Sequence, residues 1–290
     1  MNMQASLLQV KELTKTYKRF TLGPLDLEVE PDIVVGLVGA NGSGKSTLFR
    51  ILMDIVKEDT GHIKFFGQEW TEDDIEWKLH VGYSGEILEA YEFLTITEMK
   101  NLISRWYQSW NHNEFENLVK RYKIDVDERY GKCSKGTKKK IEFIFTLCHN
   151  PTLLLLDEPT AGVDLVSQRK MKEDLMRFME DGEKAIVLAT HKIEEINQLC
   201  DEIVVLDSGR ITHSFNKDDI YDTWARIWIS DVVEQVIQHP NVIQFEMDPP
   251  QIVTNDVEAL ESIMQKEQMS ITHIQRLSIE EVLEFLIDQE

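Results

Sequence analysis

Residues 39–46 read Gly-Ala-Asn-Gly-Ser-Gly-Lys-Ser, with Thr47 next. Gly39, Gly42 and Gly44 have no Cβ, so the chain can wrap closely and turn its backbone N–H groups onto an anion; Asn41 and Ser43 fill the places between them. The run follows an apolar stretch, Ile33–Val38, and opens a helical stretch, Ser46–Val56, which is the strand-loop-helix context of a phosphate-binding loop. The expected ligand is a nucleoside triphosphate. Lys45 is expected to bridge its β- and γ-phosphates, Ser46 to ligate Mg²⁺, and Thr47 to donate near the α-phosphate.

A second group of residues could act on that ligand. Leu153–Leu156 is an apolar strand that ends in Asp157 and Glu158, where the C-terminal edge of a parallel sheet gathers ligands. Asp157 is expected to hold Mg²⁺ through water. Glu158 is the candidate base for the attacking water, because phosphoryl transfer needs little beyond positioning and charge stabilisation.

The elements that must hold these residues alternate in type. Leu25, Leu27 and Val29 interleave with Asp26, Glu28 and Glu30, a period of two that predicts a half-buried strand. Further strands are expected at His62–Phe66, Val81–Tyr83, Thr152–Leu156, Ala185–Ala189, Glu202–Leu206 and Ile211–Phe215, with helices at Leu165–Glu180 and Lys192–Leu199. Strand and helix in alternation predict an α/β core, a mostly parallel sheet flanked by helices. Between about residues 87 and 148 the pattern turns helical, beginning at a capping box, Thr95-x-x-Glu98. Met99, Leu102, Ile103, Trp106 and Trp110 fall on one helical stripe, which predicts either core packing or a partner surface. After residue 217 a small α+β appendix is expected. Its strand patterns are Ala225/Ile227/Ile229 and Ile243/Phe245/Met247, its helix pattern is Val257/Leu260/Met264, and Ser278-x-x-Glu281 caps a last amphipathic helix.

Bulk properties narrow the partners. A net charge of −21 repels phosphate backbones, which argues against nucleic acid, and Lys138–Lys140 read as a solvated helix face. No apolar run approaches the roughly 20 residues that span a bilayer, and the first residues show no basic-then-apolar leader. The three cysteines have no CxxC spacing, so neither a disulfide framework nor a zinc site is expected, and a reducing cytoplasm fits.

In order along the chain, GANGSGKST, LLLLDEP, Ala161-Gly162-Val163-Asp164 and Ala189-Thr190-His191 resemble the nucleotide-binding subunits of ATP-binding cassette transporters. The resemblance implies a P-loop NTPase core with an N-terminal antiparallel β part and an inserted helical subdomain, over residues 5–216. The ligand is then ATP with Mg²⁺. It implies that Glu158 is the catalytic glutamate and His191 a switch histidine on the γ-phosphate. Asp164 matches the loop aspartate that follows, and Tyr17 matches the aromatic residue that stacks on adenine. The family signature LSGGQ reads Cys133-Ser134-Lys135-Gly136-Thr137 here, keeping Ser134 and Gly136 as donors to ATP on an opposite subunit, while Lys135 either strains the loop or adds charge. Glu86 stands where the family usually has a Mg²⁺-sensing glutamine. The expected role is an ATPase on the cytoplasmic face of the membrane, paired with a second nucleotide-binding subunit and an integral membrane permease, for export. Two alternatives are a weakly hydrolysing half of a heterodimer and a soluble, non-transport ATPase.

Overall fold

The computed structural model describes residues 6–70, 74–85 and 87–287. Glu86, the expected Mg²⁺ residue, lies outside the described residues. The chain divides into two compact units, one made of residues up to Cys200 with Leu206–Thr212, the other of Asp201–Val205 with the chain from His213 onward.

The first unit begins with an antiparallel sheet. Strands β1 (Leu8–Tyr17) and β2 (Phe20–Val29) form a hairpin, and β4 (Thr60–Phe65) and β5 (Gln68–Glu69) complete the order β2-β1-β4-β5. The alternation at Leu25, Leu27 and Val29 puts all three inward. The main sheet has the order β10-β9-β3-β8-β7-β6, with β3 at Val34–Val38, β6 at Val81–Ser84, β7 at Leu153–Asp157, β8 at Ala185–Ala189, β9 at Glu202–Asp207 and β10 at Arg210–Asn216. Its four strands β3, β8, β7 and β6 pair in parallel. Every residue of β3 and β8 is buried, as is Leu153–Leu156 of β7, because helices α1 (Lys45–Leu52) and α5 (Leu165–Met179) belong to crossovers that cover the sheet; this explains unbroken apolar runs rather than alternation. Register pairs Leu37 with Ala189, Asp157 with Ala189 and Ser84 with Leu156. The loops that follow β3, β6, β7 and β8 therefore leave the sheet at one level.

Between β6 and β7 lie α2 (Ile96–Ile103), α3 (His112–Tyr122) and α4 (Lys135–Cys148). Thr95 and Glu98 form the expected capping box, each accepting from the other's backbone. The stripe from Met99 to Trp110 does not stay on one helix. α2 stops at Ile103, and the chain turns at Trp106 and again at Trp110. Trp106 is 72% exposed, whereas Trp110 packs in the interior against Phe115 and Phe145. Spacing alone continued a helix through residues that tertiary packing bends apart. The Tyr122 hydroxyl donates to Asp174 Oδ2 at 2.6 Å, joining α3 to α5, and burial pushes the phenol pKa up.

The second unit holds α7 (Lys217–Thr223), β11 (Ala225–Ile229), α8 (Glu234–Ile237), β12 (Val242–Met247), β13 (Pro250–Thr254), α9 (Val257–Lys266), β14 (Ile271–Arg276) and α10 (Ile279–Ile287), while α6 (Ile193–Leu199) precedes it in the first unit. Its sheet is antiparallel in the order β12-β13-β11-β14, a β-α-β-β-α-β unit. Ala225, Ile227, Ile252, Val257, Leu260 and Met264 meet in its core. Pro250 starts a strand here, so the Pro-Pro step is a hairpin turn between β12 and β13.

Leu155 is fully buried in β7. Leu155→Ala should lower stability by about 2–5 kcal/mol through lost transfer energy and the cavity left behind, read as a lower urea midpoint with an unchanged slope.

Candidate active site

At the level where β3, β6, β7 and β8 end, a cavity of about 950 Å³ opens. A small-molecule site of this size is large enough for a nucleotide. Its floor is the glycine loop: Asn41, Gly42, Gly44, Lys45, Ser46 and Thr47 line it. Gly44 precedes the first residue of α1 at φ 115°, and a Cβ there would stand 2.7 Å from Leu22 Cδ1 and 2.9 Å from Phe20 Cζ. That left-handed conformation favours glycine, and a Cβ would also push on the ends of two side chains. The first N–H groups of α1 have no carbonyl behind them, so they point at the cavity with the positive end of the helix dipole.

Lys45 is 6% exposed, and its ammonium donates to the carbonyls of Gly39 at 2.7 Å and Ala40 at 3.0 Å. Ser43 Oγ lies at 3.5 Å. Gly39 and Ser43 thus hold the lysine rather than line the cavity. Burial pulls the Lys45 pKa down, and the charges of Glu158 and Asp157 oppose that.

Asp157 ends β7 against Ser46. Burial raises its pKa, opposed first by the hydrogen bond from Ser46 and then by the charge of Lys139. A half-buried carboxylate beside a hydroxyl, opening on a cavity for phosphate and water, is a hard-oxygen donor set that fits Mg²⁺. Among the described residues no group of three or more His, Cys, Asp or Glu side chains is placed to hold a metal ion by itself.

Glu158 takes the left-handed backbone conformation, φ 46°, unusual for a residue with a Cβ and fixed by its amide, which donates to Ala189 O at 2.9 Å. That conformation turns the side chain to the cavity wall, where Oε1 lies 3.1 Å from His191 Nδ1. The two side chains expected to serve hydrolysis, from different strand ends, meet here, Glu158 in the cavity lining and His191 just outside it.

Other expected residues stand elsewhere. Tyr17 is 42% exposed and lies beside Phe20, ring centroids 6.5 Å apart; Phe20, not Tyr17, is among the lining side chains. Ser134 caps α4, accepting from Thr137 N at 3.1 Å, and Gly136 presses on the Gly162 carbonyl, 2.4 Å from where a Cβ would sit. Asp164 caps α5, and Lys140 Nζ lies 3.6 Å from it. Ser134, Gly136 and Asp164 are absent from the cavity lining. Lys135 is the first residue of α4 and has no positive φ, so it adds charge without backbone strain.

Lys139 was expected on a solvated face, and the structure corrects this. It lines the cavity, donates to Asp157 O at 3.3 Å and lies 4.0 Å from Glu142 Oε2. Lys138 lies over the Tyr130 ring. Spacing does not single Lys139 out in the sequence, because α4 buries every residue from Ile141 to Thr146 and all three lysines stand three or four residues before one of them.

A family model described as ABC transporter matches residues 22–161. An uncharacterized ABC transporter ATP-binding protein of Methanocaldococcus jannaschii is 30% identical over 232 residues, spanning 76% of this chain and 81% of that protein. A solved ATP binding subunit of an ABC transporter aligns with a TM-score of 0.68 and 26% identity, over 75% of this chain and 92% of that one. The fold is shared by an ATP-binding cassette solved as a dimer in a post-hydrolysis state with ADP and Pi, at a TM-score of 0.63 and 21% identity, over 72% of this chain and 98% of that one.

Gly44→Ala should weaken nucleotide binding by about tenfold or more, measured with a fluorescent ATP analogue. Lys139→Met should weaken the same binding several-fold, since a cation leaves the wall of a site for a polyanion, while Lys138→Met should leave it within about twofold.

Proposed function

The chain belongs to the ABC transporter ATP-binding family, and from that premise we propose that it hydrolyses ATP in a head-to-tail pair and drives a separate membrane-embedded permease. The contact of Glu158 Oε1 with His191 Nδ1, 3.1 Å at the wall of the phosphate-loop cavity, carries the hydrolytic reading. The loop amides and the Lys45 ammonium take the β- and γ-phosphates, and Thr47 donates near the α-phosphate. Asp157 and Ser46 would hold Mg²⁺, which neutralises phosphate charge when bound. Glu158 takes the proton of the attacking water as it adds to the γ-phosphorus, and His191 holds Glu158 and the γ-phosphate in register. The leaving ADP carries its charge into the amides that open α1, a preorganised dipole field.

Pairing is supported by what lies outside the cavity. Ser134 and Gly136 sit at exposed or half-buried positions outside the lining of this chain's own cavity, as donors reserved for ATP on a second subunit do, and Asp164 is exposed and likewise outside it. Exposed Leu165 and Val166 follow Asp164 on the same turn of α5. Tyr17 and Phe20 offer the adenine an aromatic edge. Among the described residues no helix is long and apolar enough to cross a membrane. We place the span on the permease and this chain at its cytoplasmic face, with export as the direction.

Glu158→Gln keeps the side chain's size and removes the base. Turnover should fall about a hundredfold or more while ATP still binds, so that size-exclusion chromatography with ATP shows a stable dimer. Unchanged turnover rejects Glu158 as the base. Purification from membranes should bring down an integral membrane protein with this chain; RNA in its place rejects the transport reading.

A further inference from the structure

Behind the Glu158–His191 pair lies a carboxylate that does not touch the cavity. Glu195, on α6, is 4% exposed and absent from the cavity lining. One of its oxygens accepts a short hydrogen bond from the Thr160 hydroxyl, and the other accepts from the Thr190 hydroxyl at 2.7 Å. Each threonine is itself held. Lys192 Nζ donates to Thr160 Oγ1 at 2.7 Å and to its carbonyl at 3.2 Å, and Lys192 N donates to Thr190 Oγ1 at 3.1 Å. The same ammonium stands 3.6 Å from the Glu195 carboxylate.

The position of the two threonines gives this network its meaning. Thr160 stands two residues after Glu158, and Thr190 directly precedes His191. One carboxylate therefore ties the turn that carries the base to the turn that carries the histidine. A buried charge is costly unless it is fully hydrogen-bonded, and an apolar residue could fill the same volume. What an apolar residue cannot do is fix the separation of two hydroxyls.

We propose that Glu195 is a positioning residue for ATP hydrolysis: by clamping Thr160 and Thr190 it sets the spacing of Glu158 and His191. The inference rests on the reading that those two residues serve hydrolysis. It concerns the chemical step, where misplacement by about 1 Å can cost a hundredfold, and not the capture of nucleotide, because neither Glu195 nor its threonines line the cavity.

The test is a double-mutant cycle on the purified chain, with steady-state ATP turnover, ATP-analogue binding and thermal unfolding measured on each variant. Glu195→Gln should lower kcat by about ten- to a hundredfold, with KM and analogue affinity within about twofold of the parent. In a His191→Ala background the same substitution should cost less than about a further twofold, because the spacing it protects no longer matters. Losses that multiply, or an unchanged kcat in Glu195→Gln beside a slowed His191→Ala, overturn the inference. An unchanged kcat in His191→Ala rejects the hydrolytic reading of the histidine instead. If Glu195→Gln does not fold, the Thr190 pair decides: Thr190→Ser keeps the hydroxyl and should keep turnover, and Thr190→Val should lose it at unchanged analogue affinity. Equal turnover in the two overturns the proposal.

Discussion

Holding a polyanion inside a protein of net charge −21 is the constraint on which the rest of the structure depends. Surface charge works against that task, so the attraction has to be local and dry. The structure supplies it with the amides that open α1 and with a lysine lodged among carbonyl oxygens. Both need a fixed backbone, and the parallel sheet fixes it: β3 and β8 are buried along their length, β7 over Leu153–Leu156, and all three release their loops at one level. The core of the first unit is thus the support of a charge arrangement.

Acidic residues at the same edge are tolerable for the same reason. Asp157 and Glu158 stand beside Lys45, and Lys139 approaches from α4. A nucleotide entering the cavity meets cations and dipoles already oriented by the fold, so little reorganisation is left for the moment of reaction. The clamp at Glu195 extends this logic one layer outward, into hydrogen bonds that the ligand never reaches.

Much of the main sheet could be read from the chain because its signals are local. Unbroken apolar runs marked β7 and β8, and the glycine loop marked the β3–α1 junction. The departures arise where packing, rather than spacing, decides. Met99 to Trp110 keeps a helical period across a bend that only Phe115 and Phe145 explain. Lys139 reads as solvated by type, yet it lines the cavity and reaches the Asp157 carbonyl from α4. Glu195 gives no sign in sequence, since its partners are 35 and 5 residues away and meet it only through the turns after β7 and β8. In the second unit β11 and β12 were visible by alternation, whereas β14, with exposed residues at most positions, was not.

Glu158 is anchored through its backbone amide, and His191 follows a threonine that is itself clamped, while the histidine side chain remains 60% exposed. The main chain at the cavity wall is therefore tied by hydrogen bonds, while the histidine side chain above it is open to solvent. Rotation of such exposed side chains takes picoseconds to nanoseconds, whereas domain and subunit movements take microseconds to milliseconds. In the hydrolytic reading proposed above, gripping and releasing the phosphate is then the fast clock of the cycle. Its slow clock is then the approach and separation of the paired subunits, and the chemistry waits on them.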